Sequence, residues 1–262
     1  MPPLLTVSHL THKFAAADGN MSLKALDDIS FEVAKGEILG IIGASGAGKT
    51  TLARCLLCLE VPTAGKIHFQ GRDITKARRR ERRAIWERMQ IIWQDPYSSL
   101  NPYRKVTEII REPLANYRRG ERAGQEALVR ELMAMVRLDP VLGERYPHEL
   151  SGGQCQKVAI ARALALGPEL LICDEPLAGL DTPMQVELLN LLLDLQQGYG
   201  LTYLFISHDL YVVRHFCSRV IVLKEGKIAE AGTAAEIFTS PASHHTRLLL
   251  SCLLSLPGSA AS

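Results

Sequence analysis

A glycine-rich loop at residues 43–50 carries the clearest chemical signal in the chain. It reads Gly-Ala-Ser-Gly-Ala-Gly-Lys-Thr, which matches the pattern G-x-x-x-x-G-K-[ST] at every fixed position. Small residues let backbone N–H groups and a helix N-terminus surround phosphate oxygens, so that Lys49 can bridge the terminal phosphates and Thr50 can ligate Mg²⁺. An apolar run at 38–42 predicts a buried strand before the loop, and a helix is predicted from Lys49 to about Leu59. This context favours a nucleoside triphosphate site over a merely structural turn.

Polar residues also follow three other predicted strands. They are Asp174 and Glu175 after 170–173, His208 after 201–206, and Gln94 after 89–93. Ligands bind outside the carboxyl ends of strands in open α/β sheets, so four polar strand ends, the loop included, favour one site. Asp174 is predicted to hold Mg²⁺ through water, and Glu175, pointing to the opposite side, to deprotonate an attacking water. The alternative for the two acids is that they only cap a strand before Pro176.

A second predicted helix start reads Leu150-Ser151-Gly152-Gly153-Gln154. Ser151 and Gln154 stand in capping-box relation. Two glycines weaken a helix start unless the backbone must approach another group closely. Because this segment has no lysine of its own, it is predicted to serve a phosphate that is held elsewhere.

These motifs together resemble the nucleotide-binding domain of an ABC transporter. The resemblance runs from about residue 4 to 238 and includes, in order, the phosphate loop, Gln94, LSGGQ, LLICDE, the Ala-Gly-Leu-Asp segment ending at Asp181, and His208. It implies an ATP hydrolase that uses ATP and Mg²⁺. It also implies that two such domains pack head to tail, with ATP between the phosphate loop of one and the LSGGQ helix of the other.

The resemblance implies roles for individual residues. The implied nucleotide contacts are Gly43, Ser45, Gly46, Gly48, Lys49, Thr50, Thr51 and Gln94 within the chain, Ser151 and Gly153 toward the partner's nucleotide, and Asp181 across the dimer. The implied Mg²⁺ ligands are Thr50, Gln94 and Asp174; Glu175 is the implied general base and His208 the γ-phosphate contact. Phe14 fits the position of an aromatic ring that stacks on adenine, and a half-buried Phe at a strand end is the open alternative. Lys157 stands where the family usually has Arg, and the Asp181 loop reads AGLD where SALD is commoner.

A narrower resemblance concerns the segment after Gln94. Residues 94–102, 106–110 and 112–114 resemble the ATPase subunits of peptide/nickel-type importers, and residues 240–250 resemble their C-terminal extension without its Pro-Tyr pair. The short form is similar to the smaller ATPase subunit of nickel importers. It implies a non-identical second ATPase subunit, two membrane permease subunits, an extracytoplasmic substrate-binding protein and a peripheral location at the cytoplasmic face of the inner membrane. Peptide, nickel and metal-chelate cargoes all stay open.

The composition excludes several other classes. The 262 residues carry 30 Lys+Arg against 28 Asp+Glu, a net charge of +2, and 47% are hydrophobic. These values exclude intrinsic disorder and give no overall field for nucleic acid, so no nucleic-acid partner is predicted. No signal peptide or membrane span is predicted either. The alternative function is a non-transport ABC ATPase acting on nucleic acid or ribosomes, while a P-loop kinase or GTPase does not explain LSGGQ or His208.

Alternating strands and helices predict an α/β fold with a P-loop NTPase core, a mostly parallel sheet, an N-terminal antiparallel β subdomain and an inserted helical subdomain. We predict a single domain, 1–262, divided into a nucleotide-binding core (1–95 and 156–238), a helical subdomain carrying LSGGQ (96–155) and a C-terminal extension (239–262). The helix after residue 183 is predicted to end before Gly198.

Four further features are interpreted as structural. Cys55-x-x-Cys58, inside the predicted helix after the loop, favours buried packing over zinc because no second pair exists. All six cysteines are interpreted as small buried hydrophobes. The histidine pairs at 9/12 and 244/245 are interpreted as surface residues. The basic run 76–83 is interpreted as a solvated helix face or a near-membrane patch.

Overall fold

A computed structural model describes residues 2–14 and 23–254. The strands are β1 (Leu5–Phe14), β2 (Leu23–Val33), β3 (Ile38–Gly43), β4 (Ala64–Phe69), β5 (Arg72–Asp73), β6 (Met89–Ile92), β7 (Leu170–Asp174), β8 (Thr202–Ile206), β9 (Arg219–Lys224) and β10 (Lys227–Thr233). The helices are α1 (Lys49–Leu56), α2 (Arg79–Arg88), α3 (Pro96–Ser99), α4 (Val106–Asn116), α5 (Arg122–Met135), α6 (Gly152–Leu164), α7 (Thr182–Tyr199), α8 (Leu210–Phe216), α9 (Ala234–Thr239) and α10 (His244–Leu254). Short 3-10 helices span Pro140–Glu144 and Pro147–Glu149. The chain forms two compact units, Met1–Ala84 with Thr202–Ser262 and Ile85–Leu201.

The first unit, Met1–Ala84 with Thr202–Ser262, begins with an antiparallel sheet. Its order is β2-β1-β4-β5, and β1 pairs antiparallel with both β2 and β4. Buried positions along β1 alternate at Leu5 and Val7 and resume at Leu10 and His12 after an irregularity in the pairing. Alternation of this kind places one face of a strand in the core. The predicted N-terminal antiparallel subdomain is confirmed.

The same unit contains the strand that carries the phosphate loop. β3 pairs in parallel with β8 on one side and with β9 on the other, and β10 pairs antiparallel with β9. All six residues of β3 are buried, as expected for a strand covered on both faces. A Cβ at Gly40 would lie 2.9 Å from the Cys217 sulfur, so the absence of a side chain lets the segment after α8 pack against β3. The predicted parallel strands of the α/β fold are confirmed.

The second unit, Ile85–Leu201, combines a parallel strand pair with helices. β6 pairs in parallel with β7, with Met89 opposite Leu170 and Ile92 opposite Cys173. Between these strands the described chain is helical, as predicted for the insertion. The helices α4, α5 and α6 bury a shared apolar core: Val106, Ile109, Ile110, Leu114, Val129, Leu132, Met133, Val158 and Ile160.

Two predicted helix ends are wrong. α7 continues through Gly198 to Tyr199, and Gly200 ends it in the left-handed conformation with φ 64°. Glycine adopts that conformation without a Cβ penalty, so Gly200 and not Gly198 terminates the helix. α1 ends at Leu56, and Cys58 lies beyond it with φ 55°, so the two cysteines do not share a helix.

The basic run 76–83 lies on an exposed surface of the first unit. In the run 76–83, α2 begins only at Arg79, and most of the charged side chains are exposed or half-buried. Arg72 pairs with Glu81 at 3.1 Å on this surface, which supports the interpretation as a solvated face.

Within 2–14 and 23–254, no helix is long and apolar enough to cross a membrane. The predicted extension is described only as far as residue 254, and the remaining residues of 239–262 lie outside the described part.

Candidate functional site

The phosphate loop lies between β3 and α1 and depends on two glycines in the left-handed region. Gly46 has φ 78° and Gly48 has φ 103°. A Cβ at Gly48 would lie 2.3 Å from the Ala25 carbonyl oxygen, whereas a Cβ at Gly46 would meet no atom within 4 Å. Gly48 is therefore required by packing against β2, and Gly46 leaves open space beside the loop.

Lys49 places its charge inside this loop. The residue is only 8% exposed, and its Nζ donates to the carbonyl oxygens of Gly43 at 2.8 Å and Ala44 at 3.1 Å. α1 begins at Lys49, and Gly48, its N-cap, supplies no side-chain hydrogen bond to the first turn. An ammonium group and an uncapped helix N-terminus therefore meet at the loop, which is the arrangement that binds phosphate oxygens. Beside them Ser45 and Thr50 are exposed and Thr51 is half-buried.

His208 also lies in the first unit, in the turn that follows β8. Asp209 caps α8 by accepting from the N–H groups of Tyr211 at 2.9 Å and Val212 at 3.1 Å. Ser207 Oγ accepts from Asp209 N–H at 3.0 Å and tightens the same turn. These contacts hold the turn in place while His208 between them is exposed.

Phe14 ends β1 and is 39% exposed. Its ring contacts the His12 ring edge-on, with centroids 4.8 Å apart and planes at 84°. This arrangement leaves ring surface accessible for stacking and also gives Phe14 a structural contact. Both sequence-based interpretations of Phe14 stay open.

In the second unit, two adjacent strands end in the predicted polar residues. Asp174 closes β7 and is 5% exposed, and Gln94, exposed, stands two residues beyond β6. Since Ile92 is the register partner of Cys173, Gln94 and Asp174 leave the strand pair at the same edge. The structure thus brings these two predicted residues to one end of the pair.

Glu175 does not continue the strand. It has φ 50°, a left-handed conformation that costs a residue with a side chain on the order of 1 kcal/mol or more. Its carbonyl accepts from Ala178 N–H at 3.1 Å, which closes a turn. The expectation that Glu175 points opposite Asp174 by strand alternation therefore loses its basis, because the strand ends at Asp174.

The LSGGQ segment forms the predicted capping box. Ser151 Oγ accepts from Gln154 N–H at 3.3 Å, and Ser151 N–H donates to Gln154 Oε1 at 2.9 Å. A Cβ at Gly153 would lie 2.4 Å from the Met184 sulfur, so this glycine lets α6 approach the start of α7. Ser151 is exposed at the helix start.

Two contacts around this segment were not anticipated from the sequence. Tyr97 on α3 donates its hydroxyl to the Leu150 carbonyl at 3.0 Å, which joins the segment after Gln94 to the LSGGQ helix. Asp181, expected only to communicate across a dimer, accepts from Met184 N–H at 2.9 Å and is the N-cap of α7. The Asp-Thr-Pro sequence at a helix start was a readable signal for that cap.

The cysteines behave as buried hydrophobes. Among the described residues, five cysteines are buried and form no disulfide: Cys55, Cys58, Cys155, Cys173 and Cys217. Burial raises the pKa of Cys58 and of Cys155 to about 11, so these thiols are neutral near pH 7. The side chain of Cys252 lies outside the described part.

The residues predicted to hold Mg²⁺ have the donor types that this ion prefers. Thr50 offers a hydroxyl, Gln94 an amide oxygen and Asp174 a carboxylate, all hard oxygen donors. Asp174 is buried at a strand end. Buried carboxylates in proteins are paired with other groups or coordinate metal ions. The donor set therefore fits Mg²⁺.

Comparisons with known proteins identify the family of the chain. Residues 26–178 match the family described as ABC transporter. A putative peptide import ATP-binding protein of Brucella ovis is 45% identical over 251 residues, covering 96% of this chain and 78% of that protein. The dipeptide transport ATP-binding protein DppF of Escherichia coli is 41% identical over 253 residues, covering 95% and 76%. A dimeric ATP-binding cassette, MJ0796, solved with ADP and Pi, has a TM-score of 0.80 at 28% identity, covering 88% of this chain and 98% of that one.

The fold and the motifs define an ATP-binding cassette with a P-loop core, which is an ATP hydrolase. The chain belongs to the ABC transporter family, as an ATP-binding subunit of the peptide/nickel-type importer branch. The resemblance drawn from its motifs is confirmed.

Proposed function

We propose that this chain hydrolyses ATP to drive peptide import through an ABC importer. The observation that carries the proposal is Lys49, whose ammonium group is held by two loop carbonyls at the uncapped start of α1. An incoming triphosphate offers stronger acceptors than these carbonyls, so Lys49 exchanges them for phosphate oxygens. Gly43, Ser45, Gly46, Gly48, Thr50 and Thr51 contribute backbone or hydroxyl groups around the same phosphates.

Hydrolysis is assigned to residues after the strands. Glu175 orients the attacking water and takes its proton, while His208 donates to the γ-phosphate. Thr50, Gln94 and Asp174 would hold Mg²⁺, which neutralises charge on the phosphate oxygens. Phe14 is proposed as the adenine contact.

The LSGGQ helix is assigned to the nucleotide of a second ATPase subunit. Ser151 is exposed at the start of α6, and the segment has no lysine, so it completes a phosphate site that another chain supplies. We propose a head-to-tail dimer with a non-identical subunit, in which Ser151 and Gly153 contact the partner's nucleotide and Asp181 responds to the dimer contact. The predicted division into core (1–95, 156–238), helical subdomain (96–155) and extension (239–262) is retained as part of this proposal.

The proposed assembly includes two membrane permeases and an extracytoplasmic substrate-binding protein, at the cytoplasmic face of the inner membrane. Peptides are favoured over nickel or a metal chelate, because the Brucella and Escherichia coli relatives carry peptide and dipeptide in their names. No nucleic-acid partner is proposed.

Reconstitution of the complete complex in proteoliposomes tests the proposal. ATP hydrolysis is measured with the binding protein loaded with a dipeptide, an oligopeptide mixture or Ni²⁺ alone, and uptake is followed with labelled cargo. Peptide-dependent stimulation and uptake are expected, and the Glu175→Gln complex is the control. Stimulation by Ni²⁺ without any response to peptides would replace the peptide assignment. An assembled complex that hydrolyses no ATP would overturn the function.

A further inference from the structure

A cluster of unlike donor atoms lies in the first unit, beside Phe14, and consists of residues that have no assigned role toward ATP. His12 comes from β1, Cys55 from the last turn of α1 and Glu60 from the loop that follows. One donor atom from each, an imidazole nitrogen, a thiol sulfur and a carboxylate oxygen, lies within 4.8 Å of the other two. His12 is 8% exposed and Cys55 is fully buried, so the interpretation of His12 as a surface residue is wrong.

The cluster does not satisfy its own polar atoms. His12 Nε2 lies 3.0 Å from Glu60 Oε2, yet that oxygen has no hydrogen bond within the described part of the chain. His12 Nδ1, on a side chain that is 10% exposed, likewise has no hydrogen-bond partner among residues 2–14 and 23–254. An unsatisfied buried polar atom costs about 1–3 kcal/mol, so two within this pair of residues indicate that a further group belongs beside them.

Neighbouring residues engage other polar atoms around the cluster. Arg54 approaches the other carboxylate oxygen of Glu60, Oε1, at 3.4 Å, and so leaves Oε2 for the cluster. The Cys58 thiol is directed elsewhere, 3.3 Å from the Ile74 carbonyl oxygen. Cys55 and not Cys58 is therefore the thiol of this group.

We propose that His12, Cys55 and Glu60 bind a thiophilic divalent transition-metal ion, with Zn²⁺ as the representative, and that water occupies a fourth position. Sulfur, imidazole nitrogen and carboxylate oxygen are the donors of tetrahedral zinc sites. Bonds of about 2.0–2.3 Å place tetrahedral ligands roughly 3.3–3.8 Å apart. The donor atoms lie within 4.8 Å of one another, so small side-chain adjustments bring them to those separations. A thiolate and a carboxylate together balance the charge of the ion, which makes the buried site neutral.

Binding replaces the S–H bond of Cys55 by a metal–sulfur bond, and the proton leaves to solvent. Burial raises the pKa of Cys55 to about 12, so the thiol carries that proton in the metal-free protein. The bound ion joins β1 to the end of α1. It therefore acts as a cross-link within the first unit and stabilises the folded chain by mass action.

Titration of the full chain, without an affinity tag or nucleotide, tests this site. Co²⁺ is the first probe, because a cobalt–thiolate bond gives a charge-transfer absorption band, and Zn²⁺ is then added in competition. We expect one equivalent of Co²⁺ with that band, its displacement by Zn²⁺, and a higher melting temperature with Zn²⁺. Cys55→Ser should abolish the band. His12→Gln removes a direct ligand, so it should weaken Zn²⁺ binding by at least the about 10–100-fold that follows the loss of a group supporting a metal ligand.

Cys58→Ser is the matched control, since it removes a buried thiol three positions away that is outside the cluster, and it should keep the band. Where Cys55→Ser does not fold, Cys55→Ala replaces it, and circular dichroism verifies each variant. Absence of the band in the wild-type chain would overturn the proposal. So would a band that survives Cys55→Ser or Cys55→Ala, or one that disappears in folded Cys58→Ser.

Discussion

Lys49 holds its charge in the loop before any phosphate arrives. Its Nζ bonds to the Gly43 and Ala44 carbonyls, so the ammonium group is already positioned at the start of α1. A charge that is already in position needs little rearrangement when the ligand binds, since only its two carbonyl partners are exchanged for phosphate oxygens. Glu175 is positioned differently, since its φ of 50° turns the chain immediately after the buried Asp174.

Lys49→Ala is expected to remove tight ATP binding, or hydrolysis, while the chain still folds. The substitution deletes the positive charge within residues 43–50, and charge-assisted bonds to phosphate are the strong ones. ATP affinity by calorimetry and the melting temperature measure the two effects separately. Lys76→Ala, an exposed lysine of the same unit, is the control. Equal ATPase rates for Lys49→Ala and wild type in the assembled complex would contradict the assignment.

Glu175→Gln and Asp174→Asn are expected to differ. Gln keeps the shape of Glu175 but takes no proton, so turnover falls by about 10²–10⁴-fold while ATP binds as tightly or more tightly. Asn at position 174 weakens the hold on Mg²⁺ and lowers affinity for the Mg²⁺–ATP complex. ATP affinity and single-turnover hydrolysis of both variants check this. Lost binding in Glu175→Gln, with binding retained in Asp174→Asn, would reverse the two roles.

At the scale of elements, the helix starts do most of the positioning. Gly48, the N-cap of α1, supplies no side-chain hydrogen bond to the helix. The N-caps of α6 and α7, Ser151 and Asp181, each accept a hydrogen bond from the first turn. An uncapped start leaves N–H groups for a ligand, and a capped start fixes the entry of the chain. The three starts therefore perform two different tasks.

Gly48→Ala and Gly46→Ala should separate folding from binding. Alanine at 48 combines φ 103° with a Cβ only 2.3 Å from the Ala25 carbonyl oxygen, and we expect a loss of stability well above about 1 kcal/mol. Alanine at 46 meets no atom within 4 Å and carries only the strain of its positive φ, about 1–2 kcal/mol. Its methyl group occupies the space beside the loop, so ATP affinity should fall. Chemical denaturation and ATP titration check the pair; equal stability losses would contradict the packing argument.

Substitutions of Asp181 can separate its role as the N-cap of α7 from a role of its negative charge at the dimer contact. Asn caps helices as well as Asp, so Asp181→Asn should keep stability within a few tenths of a kcal/mol, whereas Asp181→Ala should lose about 0.5–2 kcal/mol. Denaturation of the isolated chain measures that difference. If the carboxylate also transmits the dimer contact, Asp181→Asn will lower ATPase activity of the complex at unchanged stability. Full ATPase activity of the Asp181→Asn complex would show that Asp181 acts only as a helix cap.

At the scale of the whole molecule, the predicted residues are divided between the two units. The phosphate loop, Phe14 and His208 belong to the first, and Gln94, Asp174, Glu175 and LSGGQ belong to the second. Each unit has its own strands and its own buried core. The proposed roles in ATP hydrolysis are therefore assigned to residues of both units.

The isolated chain is expected to be a weak ATPase. Its single LSGGQ segment is proposed to serve another subunit's nucleotide, so a complete pair of sites needs a second, non-identical ATPase chain. Steady-state hydrolysis is compared for the purified chain, the chain with its ATPase partner, and the full complex. Rates should rise at each step. A homodimer with the turnover of the full complex would contradict the requirement for a different partner.

The local sequence was sufficient to predict each functional motif that consists of neighbouring residues. The phosphate loop, the LSGGQ capping box and the acids after β7 each lie within a few consecutive positions. Their backbone conformations follow from glycine, capping side chains and apolar periodicity, which act over one or two turns of chain. The α/β class and the family were therefore predictable before any coordinates.

The tertiary structure decided what depends on packing between distant positions. It buried His12 against Cys55 and Glu60, which a search for metal-binding motifs by spacing does not find. It also determined that Gly200, and not the predicted Gly198, terminates α7. Both glycines can end a helix, and Gly200 is the one that adopts the left-handed conformation after Tyr199. Side-chain proximity across strands and helices, and the choice between locally equivalent conformations, follow from how the core fills space, and short-range propensities do not encode that.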